Sequence, residues 1–240
     1  MTGIVTTMLM AALLLASVIV AANPPQAVYA QGSFFKDPKN ISKTDDNSDQ
    51  QQIATSGKHV YVVWREDVNG NFEIYFTRST DGGKNFEEPD NISENVGMSV
   101  NPQIAASGKN VYVVWQDDTG GDVEILLARS TDRGDDFDKP DNISKEPGAS
   151  ELPQIDAFKD NVFVVWEQFI TDPPLTFDIF VTGSNDGGDD FDKPKPKNIS
   201  NNEGESRNAQ VSVSGDTAYV VWDDQKGQQG MLDIFFNRGD

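Results

Sequence analysis

The amino-acid sequence predicts an all-β protein, a four-bladed β-propeller whose repeats of about 51 residues each contain four strands. Two periodic patterns carry this prediction: four tryptophans recur at intervals of 51, 51 and 56 residues, and four Asn-Ile-Ser triplets recur at the same intervals. Repetition at this period in a strand-rich sequence is typical of propeller blades. The tryptophans are Trp64, Trp115, Trp166 and Trp222.

A phrase of eight residues, S-x-D-x-G-x-x-F, occurs once in each of the first three repeats. Its Ser and Asp side chains can hydrogen-bond to nearby backbone groups, its Gly accommodates a positive φ, and its Phe can anchor the loop. The phrase therefore predicts a self-capped turn between two strands. Its motif residues are Ser79, Asp81, Gly83, Phe86, Ser130, Asp132, Gly134, Phe137, Ser184, Asp186, Gly188 and Phe191.

This phrase resembles the Asp-box, or bacterial neuraminidase repeat, of sialidases and other secreted propellers. The resemblance implies a propeller of the sialidase-like superfamily, in which the boxes are structural and not catalytic. Because the box occurs in proteins of many functions, the resemblance implies a fold and leaves the activity open.

Each repeat is predicted to form four antiparallel strands, a to d. In the second repeat these are residues 102–106, 111–115, 124–129 and 137–144, and the box is the turn between strands c and d. Pro140 places strand d at the outer edge, because proline lacks the N–H that an inner strand needs. The predicted blades are residues 46–93, 97–144, 148–200, and 205–240 together with 32–42.

The two ends of the chain predict how the ring closes. The last repeat ends after strand c, with Arg238 where Arg78 and Arg129 stand, whereas residues 32–42 match residues 83–93 at the Gly, Phe, Pro, Asn, Ile and Ser positions. We therefore expect the N-terminal segment to complete the last blade and to cover an exposed sheet edge. The alternative is the same pairing between chains, which would give a larger ring or a filament.

The first 30 residues predict export. An apolar run over residues 8–22 is followed by Val28, Tyr29 and Ala30, which resemble a signal-peptidase site, so cleavage is expected after Ala30. An uncleaved anchor is the alternative, because no Lys or Arg precedes the apolar run. Residues 31–240 are expected to form a single secreted or cell-surface domain, and without cysteine only its core can hold it together.

The chain contains 39 acidic and 19 basic residues, a formal charge of −20. Such a surface repels nucleic acids and anionic lipids, so neither is an expected partner, and it favours solubility or cation binding. Oxygen ligands recur around the hairpins between strands b and c, and they allow either a calcium site or a purely structural role. The candidate metal ligands are Asp67, Asn69, Glu73, Asp117, Glu124, Asp178, Asp224 and Asp233.

Three further sets of residues are candidates for function. One Gln in each strand a is expected either to line the channel or to bond neighbouring blades: Gln52, Gln103, Gln154 and Gln210. The third repeat has a longer loop between strands b and c, where Phe169 and Ile170 are candidates for a binding lip or a cover over the channel. Each Asn-Ile-Ser triplet is also an N-x-S sequon, so the glycosylation candidates are Asn40, Asn91, Asn142 and Asn198.

For activity, the resemblance to sialidases implies three arginines for the substrate carboxylate, a Tyr-Glu nucleophile pair and an Asp acid/base. Of the six arginines only Arg65 and Arg207 lie outside the boxes and the repeated strand position, so we assign no catalytic residue. We expect a monomeric, non-catalytic binding module for glycans or a surface protein, with calcium as the one candidate cofactor. The alternatives are a sialidase-like glycoside hydrolase and a structural envelope component assembled by strand exchange.

Overall fold

A computed structural model describes residues 36–173, 175–191, 195–225 and 230–239 of the chain. Within these ranges the chain is all-β, with fifteen strands and no helix, and so with no helix that could cross a membrane. The strands lie in one compact unit, Asn40–Asp240. The predicted signal peptide, residues 1–30, lies outside the described residues.

The strands form four antiparallel sheets in chain order, one for each predicted repeat. The first sheet contains β1 (Ser48–Ser56), β2 (His59–Val68), β3 (Asn71–Ser79) and β4 (Asp90–Asn91). The second contains β5 (Ser99–Ser107), β6 (Asn110–Asp117), β7 (Glu124–Ser130) and β8 (Asp141–Asn142). The third contains β9 (Ser150–Phe158), β10 (Asn161–Ile170), β11 (Thr176–Ser184) and β12 (Lys197–Asn198). The fourth contains β13 (Ser206–Ser214), β14 (Thr217–Gln225) and β15 (Leu232–Gly239).

The second strand of each of the first three sheets is packed on both faces. In β6, Val111, Val113 and Trp115 join a core cluster with the first sheet, while Tyr112 and Val114 join a cluster with the third sheet. Successive side chains of a strand point to opposite faces, so an uninterrupted apolar run suits a sheet that lies between two others. Burial of each such side chain contributes roughly 1.5–3 kcal/mol to the free energy of folding.

The first strand of each sheet is the innermost. β1 packs against β5, β5 against β9, and β9 against β13, so the sheets follow one another as propeller blades do. The all-β fold and the four repeats are therefore confirmed. Among the described residues, no comparable packing joins β13 back to β1.

The fourth sheet has three strands within the described residues. Of the predicted closing strand, residues 32–35 lie outside the described ranges and residues 36–42 are not in a strand. The outer face of this sheet is open: Ile234 and Phe236 are 73% and 60% exposed, whereas their counterparts Ile74 and Phe76 in the first sheet are 0% and 2% exposed. Closure of the ring by the N-terminal segment stays a prediction.

The outer strands are shorter than predicted. β8 pairs only at Asp141 and Asn142, although the sequence predicts a strand over residues 137–144. Pro140 has no N–H to donate, and the side-chain oxygen of Asn142 accepts the backbone N–H groups of Ser144 and Lys145 at 3.0 and 3.2 Å. This turn ends the strand two residues after it begins to pair.

Candidate functional site

The three boxes are held by hydrogen bonds within each turn. In the first box the Ser79 hydroxyl donates to Asp81 at 2.8 Å and accepts the Gly83 N–H at 2.9 Å, while Asp81 accepts the N–H of Lys84 and Asn85, each at 3.0 Å. The second and third boxes repeat these bonds. Each box also donates a backbone N–H to the turn between the first two strands of its own sheet. We call this end of the sheets the box end.

The hydrogen bonds to the box aspartates lower their pKa values. For Asp81 the largest cause is the backbone N–H of Asn85, and for Asp132 and Asp186 it is the hydroxyl of the box serine. A carboxyl group whose pKa is lower in the folded protein than in the unfolded chain adds stability above its unfolded pKa of about 4, and this stability is lost as the pH falls through the folded pKa.

We therefore expect the contribution of the boxes to the melting temperature to be constant above about pH 5 and to fall as the pH drops below about 4. Calorimetry of the protein and of the variant Asp132→Asn over this range tests it. The variant should be less stable at neutral pH and should show a shallower loss in acid. Equal slopes for the two proteins would contradict the assignment of this loss to the boxes.

Two arginines at the box end join neighbouring sheets. Arg78 of the first sheet donates to the Arg133 carbonyl at 3.1 Å and to Asp135, both in the second box. Arg129 of the second sheet contacts Gly187 and Asp189 of the third box in the same way. These two guanidinium groups are used in packing the sheets.

At the end of the sheets opposite the boxes, the second strand of each sheet carries a buried hydrogen-bond acceptor two residues after its tryptophan. The indole N–H donates to it at 2.7–3.3 Å, and a serine hydroxyl from the innermost strand donates at 2.7–3.0 Å. The acceptors are Glu66, Asp117, Gln168 and Asp224. Because a neutral glutamine serves at one of the four positions, the position needs an acceptor for the tryptophan and serine and does not depend on a negative charge.

Acidic residues near the start of the third strands bond to the Asn-Ile-Ser triplets. Glu73 accepts from the Ser93 hydroxyl, which in turn accepts the Ile74 N–H at 2.9 Å. Glu124 and Asp178 bond to Ser144 and Ser200 in the same way. The triplets therefore recur for a structural reason, and glycosylation of their asparagines stays a prediction.

Burial raises the pKa of Glu124, and the hydrogen bonds from Ser144 and Asn142 oppose this shift. Among the remaining predicted metal ligands, Asp67 accepts the Gly70 N–H at 2.7 Å and Asn69 has a φ of 57°, so both form the hairpin turn. Asp233 lies exposed on β15. The predicted ligands are thus spread over separate turns.

One group of carboxylates in the described residues has the spacing of a metal site. Asp132, Asp135 and Asp136 of the second box have oxygens within 4.8 Å of one another, and all three are exposed. Asp132 accepts a hydrogen bond from the Ser130 hydroxyl, and Asp135 accepts one from the Arg78 guanidinium. These bonds account for the cluster as part of the box.

Sequence reasoning missed a set of contacts between sheets at the end opposite the boxes. Each innermost strand has a bulge with one residue of positive φ: Gln50, Asn101, Leu152 and Asn208. The backbone N–H of three of these residues is accepted by a side chain of the preceding sheet. The acceptors are Gln50 for Asn101 (2.8 Å), Gln116 for Leu152 (3.1 Å) and Glu167 for Asn208 (2.7 Å).

The contact between the third and fourth sheets includes a buried ion pair. Glu167, 1% exposed, accepts from the Arg207 guanidinium at 2.6 Å, and the Arg207 side chain is 31% exposed. The guanidinium carbon lies 3.4 Å from the centre of the Phe177 ring. Asn208 donates to Asp223 at 2.9 Å.

A second arginine lies at the same end of the first sheet. Arg65 donates to both oxygens of Asp49 at 2.7 and 2.6 Å, and it lies 4.1 Å from the centre of the Phe72 ring. We call this set of polar side chains, at the end of the sheets opposite the boxes, the polar end. Its members are Asp49, Gln50, Arg65, Asn101, Gln116, Glu167, Arg207, Asn208 and Asp223.

The glutamines and the apolar loop that were predicted as ligand sites stay predictions, and the structure shows what some of them contact. Within the described residues no hydrogen bond joins Gln52, Gln103, Gln154 and Gln210 to one another, and Gln210 donates to the Ala209 carbonyl at 3.0 Å. Phe169 packs on Phe177 with ring centres 5.2 Å apart, and Ile170 packs against the core between the second and third sheets. Both residues therefore support the hairpin that carries Phe177.

Comparison with solved structures decides the type of fold. An α-L-arabinanase of Penicillium chrysogenum complexed with arabinobiose matches 74% of the chain with a TM-score of 0.50 at 12% identity. The intramolecular trans-sialidase of Ruminococcus gnavus, in complex with oseltamivir carboxylate, matches 82% with a TM-score of 0.55 at 9% identity. The protein has a β-propeller fold.

A GH43_12 protein from a capybara gut metagenome also matches this propeller, over 81% of the chain with a TM-score of 0.51 at 13% identity. The chain spans 56%, 70% and 40% of the lengths of the arabinanase, the trans-sialidase and the GH43_12 protein. No protein-family model matches it, and no curated protein matches it in sequence. The likeness to these propellers is therefore one of fold.

Proposed function

We propose that this sialidase-like propeller is an exported, non-catalytic module that binds glycans through its polar end. Amide, guanidinium and carboxylate groups there can bond to hydroxyl groups, and the rings of Phe72 and Phe177 add apolar faces beside them. The solved propellers of the same fold include one holding arabinobiose, which makes carbohydrate the first ligand class to test.

The hydrogen bonds that Glu167 accepts are the observation that favours a non-catalytic role. One of its oxygens accepts from Arg207 and the other from the Asn208 N–H, so both are used in joining two sheets. A glycosidase of the common type needs two carboxyl groups that reach the substrate, one as an acid and one as a base or nucleophile. A carboxylate held in this way is a poor candidate for either role.

The arrangement of the arginines also favours binding over sialidase activity. The resemblance to sialidases implies three arginines around one carboxylate, but the polar end contains two, Arg65 and Arg207. Arg78 and Arg129 contact the boxes at the opposite end, and Arg133 lies within a box. Hydrolysis of sialosides or arabinosides by the purified protein, abolished in Glu167→Gln, would favour the hydrolase instead.

We expect the protein that is secreted when the full chain is expressed to bind some of the glycans on an array. The array is probed once with calcium and once without it. The variant Arg65→Ala should bind its best glycan about tenfold more weakly, the effect of one lost charged hydrogen bond. It should lose about 1 kcal/mol of stability or less, because its ion pair is with an exposed aspartate.

Arg133→Gly is the matched control, because it removes one positive charge at the box end, where the other boxes have Gly82 and Gly187. It should leave the affinity unchanged. Equal weakening in both variants would assign the effect to net charge. The absence of binding to any glycan would overturn the proposal, and loss of binding in chelator would add calcium to it.

We also infer that the N-terminal segment, residues 32–42, completes the fourth sheet and closes the ring. Each Asn-Ile-Ser triplet stands 12 residues before the glutamine of the next innermost strand, and Asn40 keeps this spacing before Gln52. Asn40 accepts the N–H groups of Ser42 and Lys43, as Asn142 does in the turn after β8. This likeness supports a turn after Asn40 like the one that ends β8, although residues 36–42 are not in a strand in the structure, and β15 is the described third strand without an outer neighbour.

A further inference from the structure

A cavity of about 530 Å³ lies between the third and fourth sheets, and none of the residues of the polar end lines it. Its wall is mainly apolar. Five apolar side chains from the two sheets line it: Phe163, Val181, Ile199, Ala218 and Val220. A mainly apolar cavity of this size with a few polar groups is typical of a binding site for a small molecule.

The cavity has room because the third sheet has a glycine where the first two sheets have an arginine. Arg78 and Arg129 each reach across a junction to the box of the next sheet, whereas the third sheet has Gly183 at this position. A Cβ atom on Gly183 would lie 2.6 Å from the Phe163 ring, so this ring packs directly against the glycine. The ring therefore forms part of the wall, and no side chain extends from position 183 into the junction.

The charged residues that line this cavity are all basic. They are Lys195, Lys197 and Arg238, and none of the described lining residues is Asp or Glu. This set stands out in a chain with 39 acidic and 19 basic residues. Lys195 and Lys197 are exposed, and no hydrogen bond or ion pair occupies either ammonium group in the described structure. Both ammonium groups can therefore bind an anion.

A second cavity, between the first and second sheets, has the opposite charge. Its volume is about 600 Å³, and its charged lining residues are six carboxylates and one lysine. The residue directly before an Asn-Ile-Ser triplet lines both cavities, as Asp90 in this one and as Lys197 in the apolar one. The third repeat therefore reverses the charge of a repeated position at the cavity whose wall is mainly apolar.

An amide without a hydrogen-bond partner also lines the apolar cavity. By the strand registers, Asn237 takes the position of Thr77 and Thr182. The hydroxyls of these two threonines donate to backbone carbonyls of their own sheets at 2.9 and 3.1 Å. The Asn237 side chain is partly buried and makes no hydrogen bond in the described structure, so its amide can donate to a carboxylate in the cavity.

We propose that the cavity between the third and fourth sheets binds a small organic anion with an apolar body, such as a carboxylate on a hydrocarbon chain. The apolar wall takes the body, while Lys195, Lys197 and Asn237 take the carboxylate. These local charges decide the binding despite the net charge of −20, because charges more than about 8 Å away are screened at physiological ionic strength. The occupant is a free molecule and not a lipid surface, because the site lies between two sheets and the net charge repels anionic membranes.

Calorimetric titration of the protein secreted from the full chain with decanoate, decylammonium and decanol tests the class of ligand. We expect decanoate to bind at one site per chain and the other two compounds to bind at least about tenfold more weakly. Octanoate should bind about tenfold more weakly than decanoate, because each buried CH₂ group contributes about fourfold to the affinity. Equal binding of the three ten-carbon compounds would overturn the choice of an anion. Binding of none of them, which would also result if another segment filled the cavity, would overturn the proposal.

Three variants test whether decanoate binds in this cavity. Lys197→Asp gives the third sheet the residue that the first two sheets have as Asp90 and Asp141, and it should weaken decanoate binding about tenfold or more. Lys109→Asp is the matched control, because it changes the net charge equally at an exposed turn of the second sheet, and it should leave the affinity unchanged. Phe236→Ser should also leave it unchanged, because Phe236 is 60% exposed on the open outer face of the fourth sheet. Equal weakening by the two lysine variants, or weakening by Phe236→Ser, would overturn the assignment to this cavity.

Discussion

Replacement of Trp115 by alanine is expected to lower the free energy of unfolding by about 3–5 kcal/mol. The side chain is fully buried, in a cluster that joins the first and second sheets, and its N–H donates to Asp117 at 3.3 Å. The variant loses both the packing of a large ring and one of the hydrogen-bond donors to a buried carboxylate. Because the free energy of unfolding of a domain is about 5–15 kcal/mol, this single change removes a large share of the stability.

Chemical denaturation of three proteins measures this effect. Trp115→Phe keeps most of the ring and loses the hydrogen bond, so its cost should be about 1–2 kcal/mol. Val96→Ala is the surface control, because Val96 is 90% exposed, and it should change stability by less than about 0.5 kcal/mol. A cost for Trp115→Ala similar to that of the surface control would contradict the packing of the two sheets through this residue.

Replacement of Arg207 by alanine is expected to cost about 3 kcal/mol, near the lower end for a broken buried ion pair. It leaves the buried carboxylate of Glu167 with the Asn208 N–H as its remaining partner in the structure. The value is near the lower end because the Arg207 side chain is 31% exposed, so water reaches its position. The junction between the third and fourth sheets should weaken most.

A double-mutant cycle tests whether the cost comes from the uncompensated charge. Glu167→Gln keeps an acceptor for the Asn208 N–H and removes the charge, so Glu167→Gln/Arg207→Ala should be more stable than the sum of the single changes predicts, by about 1 kcal/mol or more. Additive costs would mean that Arg207 acts through its contacts with Phe177 and Glu205 and not through the charge of Glu167. Either result is read from unfolding curves at neutral pH.

Much of the fold was predictable because each repeat is one sheet. The spacing of the tryptophans and of the Asn-Ile-Ser triplets predicted four sheets, and the S-x-D-x-G-x-x-F phrase predicted the turns. The outer strands were predicted too long, since Asn142 bonds to the backbone that follows it and ends β8 after two residues. Local sequence signals the turn but not how far the pairing extends.

The candidate site was predictable only in part. The repeated acidic residues were correctly located at the ends of the hairpins, but sequence could not distinguish a metal ligand from an acceptor for tryptophan and serine. The bulges of the innermost strands, such as the one at Asn101, were missed because no Gly marks their positive φ. The backbone N–H at such a bulge donates to a side chain of the preceding sheet, Gln50 or Gln116, which is distant in sequence.

The periodic sequence is sufficient to specify a chain of β-sheets with capped turns, because strand pairing and turn chemistry are local and repeat with the residues. Which carboxylates are engaged and which face stays open depends on contacts between sheets, such as that of Glu167 with Arg207 and Asn208. These contacts join residues about 40 positions apart, so they exist only when two sheets pack together. A cavity between the third and fourth sheets likewise cannot be predicted from one stretch of sequence, because its walls, such as Phe163 and Val220, come from two different repeats.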